Sequence, residues 1–332
     1  MNRLSLFLCN AFFLICMLSG CTDVSKFQQL DGVIWNTTYH ISFRGEKELK
    51  DSIINTLQKV DNSLNYFNDK SLLSAVNKSG DSIPVDSMFL QVYNYSVEIN
   101  TTSGGMFDPT ISPLISAWGF AKGHRPTSDT LKIDSLLKFT GIHRTSIRNM
   151  ILYKEDPRIT FNFSAIAKGF GCDCVAQMLR RNGVDDFLIE IGGEIVLSGK
   201  NETGNKWRIA IDTPVFDSIC MIRDSSEIIE LSDCGIATSG NYRNFHERNG
   251  NKFGHTISPL SGRPVTTDIL SATIIAPNSM KADAVATAAM ALGSERGLTL
   301  VNNLGYDALF ILEKDIIMTP GFRKLISSSK SK

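Results

Sequence analysis

Two residues of a predicted helix near the end of the chain carry side chains that suit a hard metal ion. Asp283 and Thr287 are four residues apart, so they share one face of the helix predicted over residues 279–292. A carboxylate and a hydroxyl among alanines suit Mg²⁺, which takes few protein oxygens and completes its shell with water and phosphate oxygens. The same pair also fits a plain helix, with an Asp favoured by the helix dipole and a Thr bonded to a carbonyl.

The stretch of residues 159–170 predicts an anion site. Its pattern is that of the end of an apolar strand, a turn of small residues and the first turn of a helix, with Ser164 as the N-cap. The free N–H groups of such a helix start point at one spot, and Lys168 adds a positive charge there. Alone, the stretch is more often a capped helix that packs on a sheet. This stretch and the helix over residues 279–292 could hold the two opposite sides of a pyrophosphate.

The elements that must position these residues are a mixture of helices and strands. Periodic apolar residues predict helices over residues 49–64, 86–100, 129–139 and 279–292. Strand patterns cover residues 32–43, 145–153, 158–163, 187–194, 207–212 and 269–276. Their order, with many antiparallel-looking pairs, predicts the α+β class: a single compact catalytic unit with a mixed or antiparallel sheet and flanking helices.

The composition excludes a partner that is bound through overall charge. The 332 residues contain 34 Lys and Arg against 34 Asp and Glu, so no net field favours nucleic acid. The sequence also lacks a basic stripe with interleaved aromatic residues. We therefore expect no nucleic-acid partner, and local charge must do any anion binding.

A series of short motifs connects the chain to a known family. They are residues 37–39, 61–67, 105–110, 165–169, 191–193, 238–240, 255–262, and 282–284 with Thr287. Each motif is weak by itself, but the set follows the family's order over essentially the whole mature chain. The chain thus resembles the ApbE family of FAD:protein FMN transferases, which implies an ApbE-like, T-fold-related architecture.

The resemblance implies an enzyme that transfers FMN from FAD to a Thr or Ser hydroxyl of a target protein and releases AMP. It implies Mg²⁺ as the cofactor, FAD as a substrate, and membrane redox subunits as the flavin-accepting partners. The family's FAD contacts fall on Trp35, Phe67, Met106, Phe107, Asp108, Asn162, Lys168 and Ile257. The metal would be held by the carbonyl of Ala165 and the side chains of Asp283 and Thr287, which makes Asp283 catalytic as well.

Phosphorus chemistry agrees with these assignments. FMN transfer is a displacement in which catalysis is mainly positioning and charge neutralisation, work that suits Mg²⁺ and helix N–H groups. The target hydroxyl must also lose a proton, and His255 is the leading candidate for the general base because an imidazole titrates near neutral pH. A structural His in that turn fits the sequence as well. Phe67 and Trp35 could stack on an aromatic ring or belong to the core.

Several positions depart from the family's pattern. Asn162 stands where the family usually has Asp, Ser258 replaces an Asp of the His-x-x-Asp-Pro turn, and Trp35-Asn36 replaces Met-Gly. None of these changes removes a predicted metal ligand. The change at Asn162 removes a negative charge near the pyrophosphate and the metal, so it bears on FAD affinity and on rate.

Two other functions are compatible with the sequence. A sibling enzyme would end the same reaction on water, as a metal-dependent FAD pyrophosphatase that yields FMN and AMP. The other is a non-catalytic flavin-binding lipoprotein. Asp283, Thr287 and Lys168 favour an enzyme over that binder, since storage needs no metal at a phosphate.

The N-terminal segment predicts export. Residues 1–20 hold Arg3 and an apolar run, which is typical of a secretory signal. The run ends in Leu-Ser-Gly before Cys21, which resembles a bacterial lipobox, so Cys21 would be acylated and anchor the protein to a membrane, facing the periplasm. An uncleaved anchor or a coincidental Cys is the alternative. Residues 21–30 would be a tether, and residues 31–332 the flavin transferase domain.

Overall fold

A large antiparallel sheet forms the centre of the fold. The computed structural model describes residues 26–120, 129–216, 221–240, 245–248, 251–254 and 256–330. The strands are β1 Phe27–Ile34, β2 Thr37–Arg44, β3 Ser82–Pro84, β4 Thr145–Arg148, β5 Ile151–Lys154, β6 Phe187–Ile191, β7 Glu194–Ser198, β8 Trp207–Phe216, β9 Met221–Leu231, β10 Cys234–Gly240, β11 Phe245–Arg248, β12 Asn251–Gly254, β13 Ile269–Ala276, β14 Asp307–Leu312 and β15 Ile316–Met318. An 8-stranded sheet has the order β1-β2-β6-β7-β10-β13-β14-β15.

Helices cover one face of this sheet, and a β-ribbon with a terminal helix covers the other. The helices are α1 Lys50–Leu64, α2 Leu72–Lys78, α3 Ser87–Thr102, α4 Ser112–Ala117, α5 Thr130–Leu137, α6 Ala167–Arg181, α7 Ser279–Leu292, α8 Ser294–Leu304 and α9 Pro320–Lys330. Neighbouring residues of β10 point to opposite faces: Ala237 packs into the core that contains α7, and Ile236 packs with the β8–β9 ribbon and α9. The sheet thus has apolar cores on both of its faces.

This architecture confirms the α+β prediction and the main predicted helices. Asp86 caps α3 by accepting the N–H of Phe89 at 2.8 Å. Asn278 caps α7 by accepting the N–H of Lys281 at 3.0 Å, and Gly293 ends that helix at φ +80°. Within the described ranges, no helix has both the length and the apolar character needed to cross a bilayer.

The strand predicted over residues 32–43 is two strands of a hairpin. Trp35 and Asn36 form its two-residue turn, with φ of +50° and +59°, the type I′ geometry that twists with the strands. A turn without Gly is hard to recognise, and this one interrupts a continuous β-like pattern. Because β1 already begins at Phe27, the folded domain starts inside the stretch that we assigned to a tether. The Phe27 ring packs edge-on against that of Trp207, with centroids 5.7 Å apart.

The strand predicted over residues 158–163 is an extended segment that pairs mainly with side chains. The Asn77 amide takes the place of a neighbouring strand: its Oδ1 accepts the N–H of Phe161 at 2.7 Å and its Nδ2 donates to the Phe161 carbonyl at 2.8 Å. Lys154 is buried next to this segment. Its Nζ donates to the carbonyl of Ile159 at 3.3 Å and to three further carbonyls. These contacts fix the segment that leads into α6.

Candidate active site

One cavity of about 950 Å³ lies where β7, β10, α6 and α7 meet. Its lining brings together predicted site residues from distant parts of the chain: Phe67, Met106, Phe107, Asp108, Asn162, Ala165, Lys168, Ile257, Asp283 and Thr287. The lining combines charged groups with an apolar set that includes Ile111, Ile115, Phe120 and Ile209. Such a cavity suits a ligand that has both an anionic and an aromatic part.

Lys168, in the first turn of α6, is a fixed positive charge on the cavity wall. Its Nζ forms an ion pair with Oε1 of Glu194, a buried residue at the start of β7. Burial alone would lower the Lys168 pKa, but the carboxylates of Glu194 and Asp283 raise it above its usual value. Lys168 therefore stays charged and can attract a phosphate, but it cannot serve as a proton acceptor near neutral pH.

Asp283 reaches the cavity from α7. It is 3 % exposed, and its Oδ2 accepts the backbone N–H of Gly169 in the first turn of α6 at 3.1 Å. Burial raises the pKa of Asp283, although the Lys168 charge and the Gly169 N–H act in the opposite direction. One turn along α7, the Thr287 hydroxyl lies 3.2 Å from that of Ser239 on β10. The two side chains predicted as metal ligands therefore lie on the cavity side of α7, and Ala165, the third predicted ligand, also lines the cavity.

The start of α7 is held by a residue of α6. Both carboxylate oxygens of Asp173 are used, one by the N–H of Ser279 and the other by the N–H of Met280, each at 2.9 Å. Asp173 thus caps α7 from the neighbouring helix, as Asp283 caps α6. Burial raises the Asp173 pKa to about 7, against the opposing effect of the two N–H groups.

Two glycines let the elements meet at backbone distance. A Cβ on Gly169 would lie 2.3 Å from the carbonyl oxygen of Ser279. A Cβ on Gly235 of β10 would lie 2.0 Å from the carbonyl carbon of Asn278. Since neither space admits a methyl group, α7 can approach α6 and the sheet closely enough for Asp283 to reach Gly169.

The turn before α6 differs from the predicted one. Ser164 does not cap the helix, because α6 begins later, at Ala167, with Ile166 as an N-cap that makes no side-chain hydrogen bond. Instead, the Oδ1 of Asn162 accepts the Ser164 N–H at 2.9 Å, and the Asn162 N–H donates to the Pro109 carbonyl at 2.7 Å. Local side-chain bonding of this kind competes with helix formation and delays the helix start.

The other predicted residues lie in different surroundings. Phe67 is 61 % exposed at the cavity and packs edge-on against Tyr66. The ring of Trp35 packs at Gly171 on α6, outside the cavity lining as far as the described residues define it. Its Nε1 is buried without a hydrogen-bond partner in the described chain. His255 and Cys21 lie outside the described residues, so their roles stay predictions.

Glu194, Ser239 and Asp173 line the site or support it, and the sequence motifs indicated no role for them. Glu194 had one visible signal, a charged residue directly after two glycines at the start of an apolar strand. Asp173 had another, a carboxylate between two cysteines on a predicted helix. Neither signal indicates a partner, because the partners are residues far away in sequence.

The charges of the cavity fit a divalent cation. Among the described lining residues, Asp108, Glu194 and Asp283 are acidic and Lys168 alone is basic. A pyrophosphate would meet a net negative wall unless a cation came with it. Asp283 and Thr287 offer the hard oxygen ligands that Mg²⁺ takes alongside substrate phosphates. The part of the chain that the structure describes holds no group of three or more His, Cys, Asp or Glu side chains spaced for a metal.

Fold and site together define an α+β protein whose described residues form a cavity that combines charged groups with apolar walls. Comparison with known proteins makes the class specific. Residues 35–310 match the model of the ApbE family. The chain belongs to the ApbE family.

Related proteins extend this match over nearly the whole chain. A Vibrio cholerae protein named FAD:protein FMN transferase is 35% identical over 325 residues, which cover 94% of each chain. The Escherichia coli protein of the same name is 28% identical, covering 93% of this chain and 92% of its own. The solved structure of the flavin transferase ApbE from Vibrio cholerae superposes with a TM-score of 0.81 at 31% identity, covering 91% of this chain and 99% of its own.

Proposed function

We propose that this protein is a Mg²⁺-dependent FAD:protein FMN transferase. The observation that carries the proposal is the cavity of about 950 Å³, in which Lys168, Asp283 and Thr287 lie beside apolar walls. The names of the family relatives support the same activity. The reaction would join FMN to a Thr or Ser hydroxyl of a target protein and release AMP.

The chain's own residues would mainly hold and neutralise the substrate. The acceptor oxygen attacks the phosphorus on the FMN side, and the bond from that phosphorus to the bridging oxygen breaks, so AMP leaves with the bridging oxygen. Lys168 neutralises charge on the phosphate oxygens and stays protonated throughout. Asp283, Thr287 and the Ala165 carbonyl would hold Mg²⁺, which supplies further positive charge at the phosphates. The acceptor proton passes to a base, and His255 is our candidate.

The apolar part of the lining would take a ring system of FAD. Ile111, Ile115 and Phe120 form one wall, and Ile209 and Ile211 of β8 contribute to another. Burial of apolar surface stabilises a bound ring by about 25 cal/mol for each Å² removed from water. An enzyme that binds FAD needs such an apolar wall for the rings, whereas an enzyme that acts on a small phosphate ester does not.

The acceptor decides between transfer and hydrolysis. The purified protein is incubated with FAD, Mg²⁺ and a flavin-accepting target domain, and AMP release and target mass are followed together. We expect AMP in step with a gain of FMN by the target. AMP with free FMN would instead indicate a pyrophosphatase, and the absence of both products would indicate a flavin binder.

We further propose that the protein is exported and held on a bacterial membrane by an acyl group on Cys21, with membrane redox subunits as its targets. The apolar run of residues 4–18 and its Leu-Ser-Gly-Cys end support this. Labelling of cells with a fatty-acid analogue tests it. We expect label in the wild type and none in Cys21→Ser.

A further inference from the structure

A small apolar unit forms one wall of the cavity and has its own core. We call it the cap: residues 110–120 and 129–141, which include α4 and α5. Leu114, Ala117 and Ile133 pack together with Ile257 in a cluster separate from the main cores. The indole Nε1 of Trp118 donates to the Gly262 carbonyl at 2.7 Å, which links the cap to the turn after Ile257. The cap carries Ile111, Ile115 and Phe120 into the cavity wall.

Two side chains tie the beginning of the cap to its end. The Oδ1 of Asp108 accepts the N–H of Thr110 at 2.8 Å and its hydroxyl at 2.6 Å. The Oδ2 of Asp108 accepts the N–H of Ile142, directly after the cap, at 3.0 Å. The hydroxyl oxygen of Thr110 in turn accepts the N–H of Gly141 at 2.6 Å. Asp108 and Thr110 thus form a clasp that closes the cap on itself.

The clasp leaves Asp108 little capacity to bind a ligand. Both of its carboxylate oxygens already accept hydrogen bonds from the chain, and the residue is 8 % exposed. Thr110 is fully buried and does not line the cavity. Any effect of Thr110 on a ligand must therefore pass through the position of the cap.

We propose that Asp108 and Thr110 are positioning residues for FAD: they hold the cap so that its apolar wall packs on a ring system of the ligand. This inference rests on the proposed function, because FAD is the ligand that it names. The clasp sets affinity for FAD, whereas Lys168 and Asp283 act on the phosphates. Loss of the clasp should therefore raise the KM for FAD and leave kcat nearly unchanged.

The test compares Thr110→Val with Thr110→Ser. Valine has the shape of threonine without its hydroxyl, so it breaks two bonds of the clasp, whereas serine keeps them. FAD binding is measured by the quenching of flavin fluorescence in EDTA, and KM and kcat by AMP release with Mg²⁺. We expect Thr110→Val to bind FAD about tenfold more weakly. The buried Gly141 N–H is then unpaired, which is unfavourable, so the cap is no longer held in the position that binds FAD. Thr110→Ser should stay within about twofold, and kcat should change by less than about twofold in both.

A control separates positioning from loss of stability. Asp86→Ala removes the side-chain N-cap of helix α3, where Asp86 accepts the N–H of Phe89, away from the clasp. It should lower the melting temperature without changing FAD binding. Amide hydrogen exchange at Gly141 and Ile142 should be faster in Thr110→Val than in Thr110→Ser. Ile115→Ala, a wall residue of the cap, should also weaken FAD binding and keeps the test valid if Thr110→Val does not fold.

The outcomes distinguish this inference from the function on which it rests. A wild-type protein that binds FAD neither in EDTA nor with Mg²⁺ would overturn both. If the wild type binds FAD and either Thr110→Val or Ile115→Ala binds it equally well, the positioning role alone is overturned. A large fall in kcat at saturating FAD would also overturn it, because the clasp would then act on the chemical step.

Discussion

The Asp283 carboxylate of α7 accepts the backbone N–H of Gly169 in the first turn of α6 at 3.1 Å. A predicted metal ligand therefore also completes the hydrogen bonding of a neighbouring helix. The two roles differ in their needs, because the hydrogen bond requires one oxygen and the metal requires a negative charge. Substitutions that keep one and remove the other can separate them.

Asp283→Asn should abolish most of the Mg²⁺-dependent activity while the protein stays folded. The amide oxygen can still accept the Gly169 N–H, but the charge for the cation is gone. We expect a loss of at least about 100-fold in turnover with a small change in melting temperature. Asp283→Ala should lose activity and also stability, since the Gly169 N–H is then unpaired. Near-normal turnover in Asp283→Asn would contradict the metal role.

Gly169→Ala should separate the two helices. The new Cβ would lie 2.3 Å from the Ser279 carbonyl oxygen and 2.9 Å from the Cβ of Asp283. We expect destabilisation of roughly 1–3 kcal/mol, as for other overpacked sites, together with weaker dependence on Mg²⁺. Urea unfolding measures the first effect and a Mg²⁺ titration of activity the second. Gly80→Ala is the matched control, because a Cβ there meets nothing within 4 Å; an equal effect of both substitutions would refute the packing argument.

The contribution of Asp173 to stability should fall as pH rises from acidic to neutral. Burial raises the pKa of Asp173 to about 7, whereas an unfolded Asp titrates near about 3.9. The folded state therefore binds this proton more tightly, so the contribution is full below about pH 4 and is lost as pH rises through about 7. Burial also raises the pKa of Glu194, against the opposing effect of the Lys168 charge, and this adds a dependence of the same sign.

The variant Asp173→Asn isolates the first of these contributions. An amide does not titrate, so the free energy of unfolding in this variant should depend less on pH between about 4 and 7 than in the wild type. Urea unfolding at several pH values measures the slope. Parallel curves for the two proteins would show that Asp173 does not titrate in this range.

Asn162→Asp should shift the balance between FAD and the metal. The hydrogen bond to the Ser164 N–H at 2.9 Å needs only one oxygen, so the turn should be kept. The added negative charge at the cavity should weaken FAD binding without metal and strengthen Mg²⁺ binding, each by a few-fold, as for a charge several ångströms away in a partly screened site. Calorimetric titrations with and without Mg²⁺ measure both. Ser164→Ala serves as a neutral control on the same turn, and equal FAD affinities in EDTA for wild type and Asn162→Asp would contradict the charge effect.

The sequence by itself was sufficient to predict the family, the α+β class and most of the long helices. Helix α7 shows why: its spacing, its Asn278 cap and its final Gly293 are all local signals. Motif types likewise indicated Asp283, Thr287 and Lys168, because hard oxygens and a cation have a chemical meaning at any position. In the structure these three residues line one cavity, although Lys168 lies more than a hundred positions before the other two.

Only the tertiary structure decided which groups these residues meet. Ser164 was predicted as a cap, but Asn162 takes its N–H and α6 begins later. Glu194 pairs with Lys168, Asp173 caps α7, and Asp108 closes the cap rather than facing a ligand freely. The Asn162 bond to Ser164 is local, but the contacts of Glu194, Asp173 and Asp108 join elements that are distant in sequence. Residue types and local spacing carry no information on such partners, because the partners are set by how helices and strands pack.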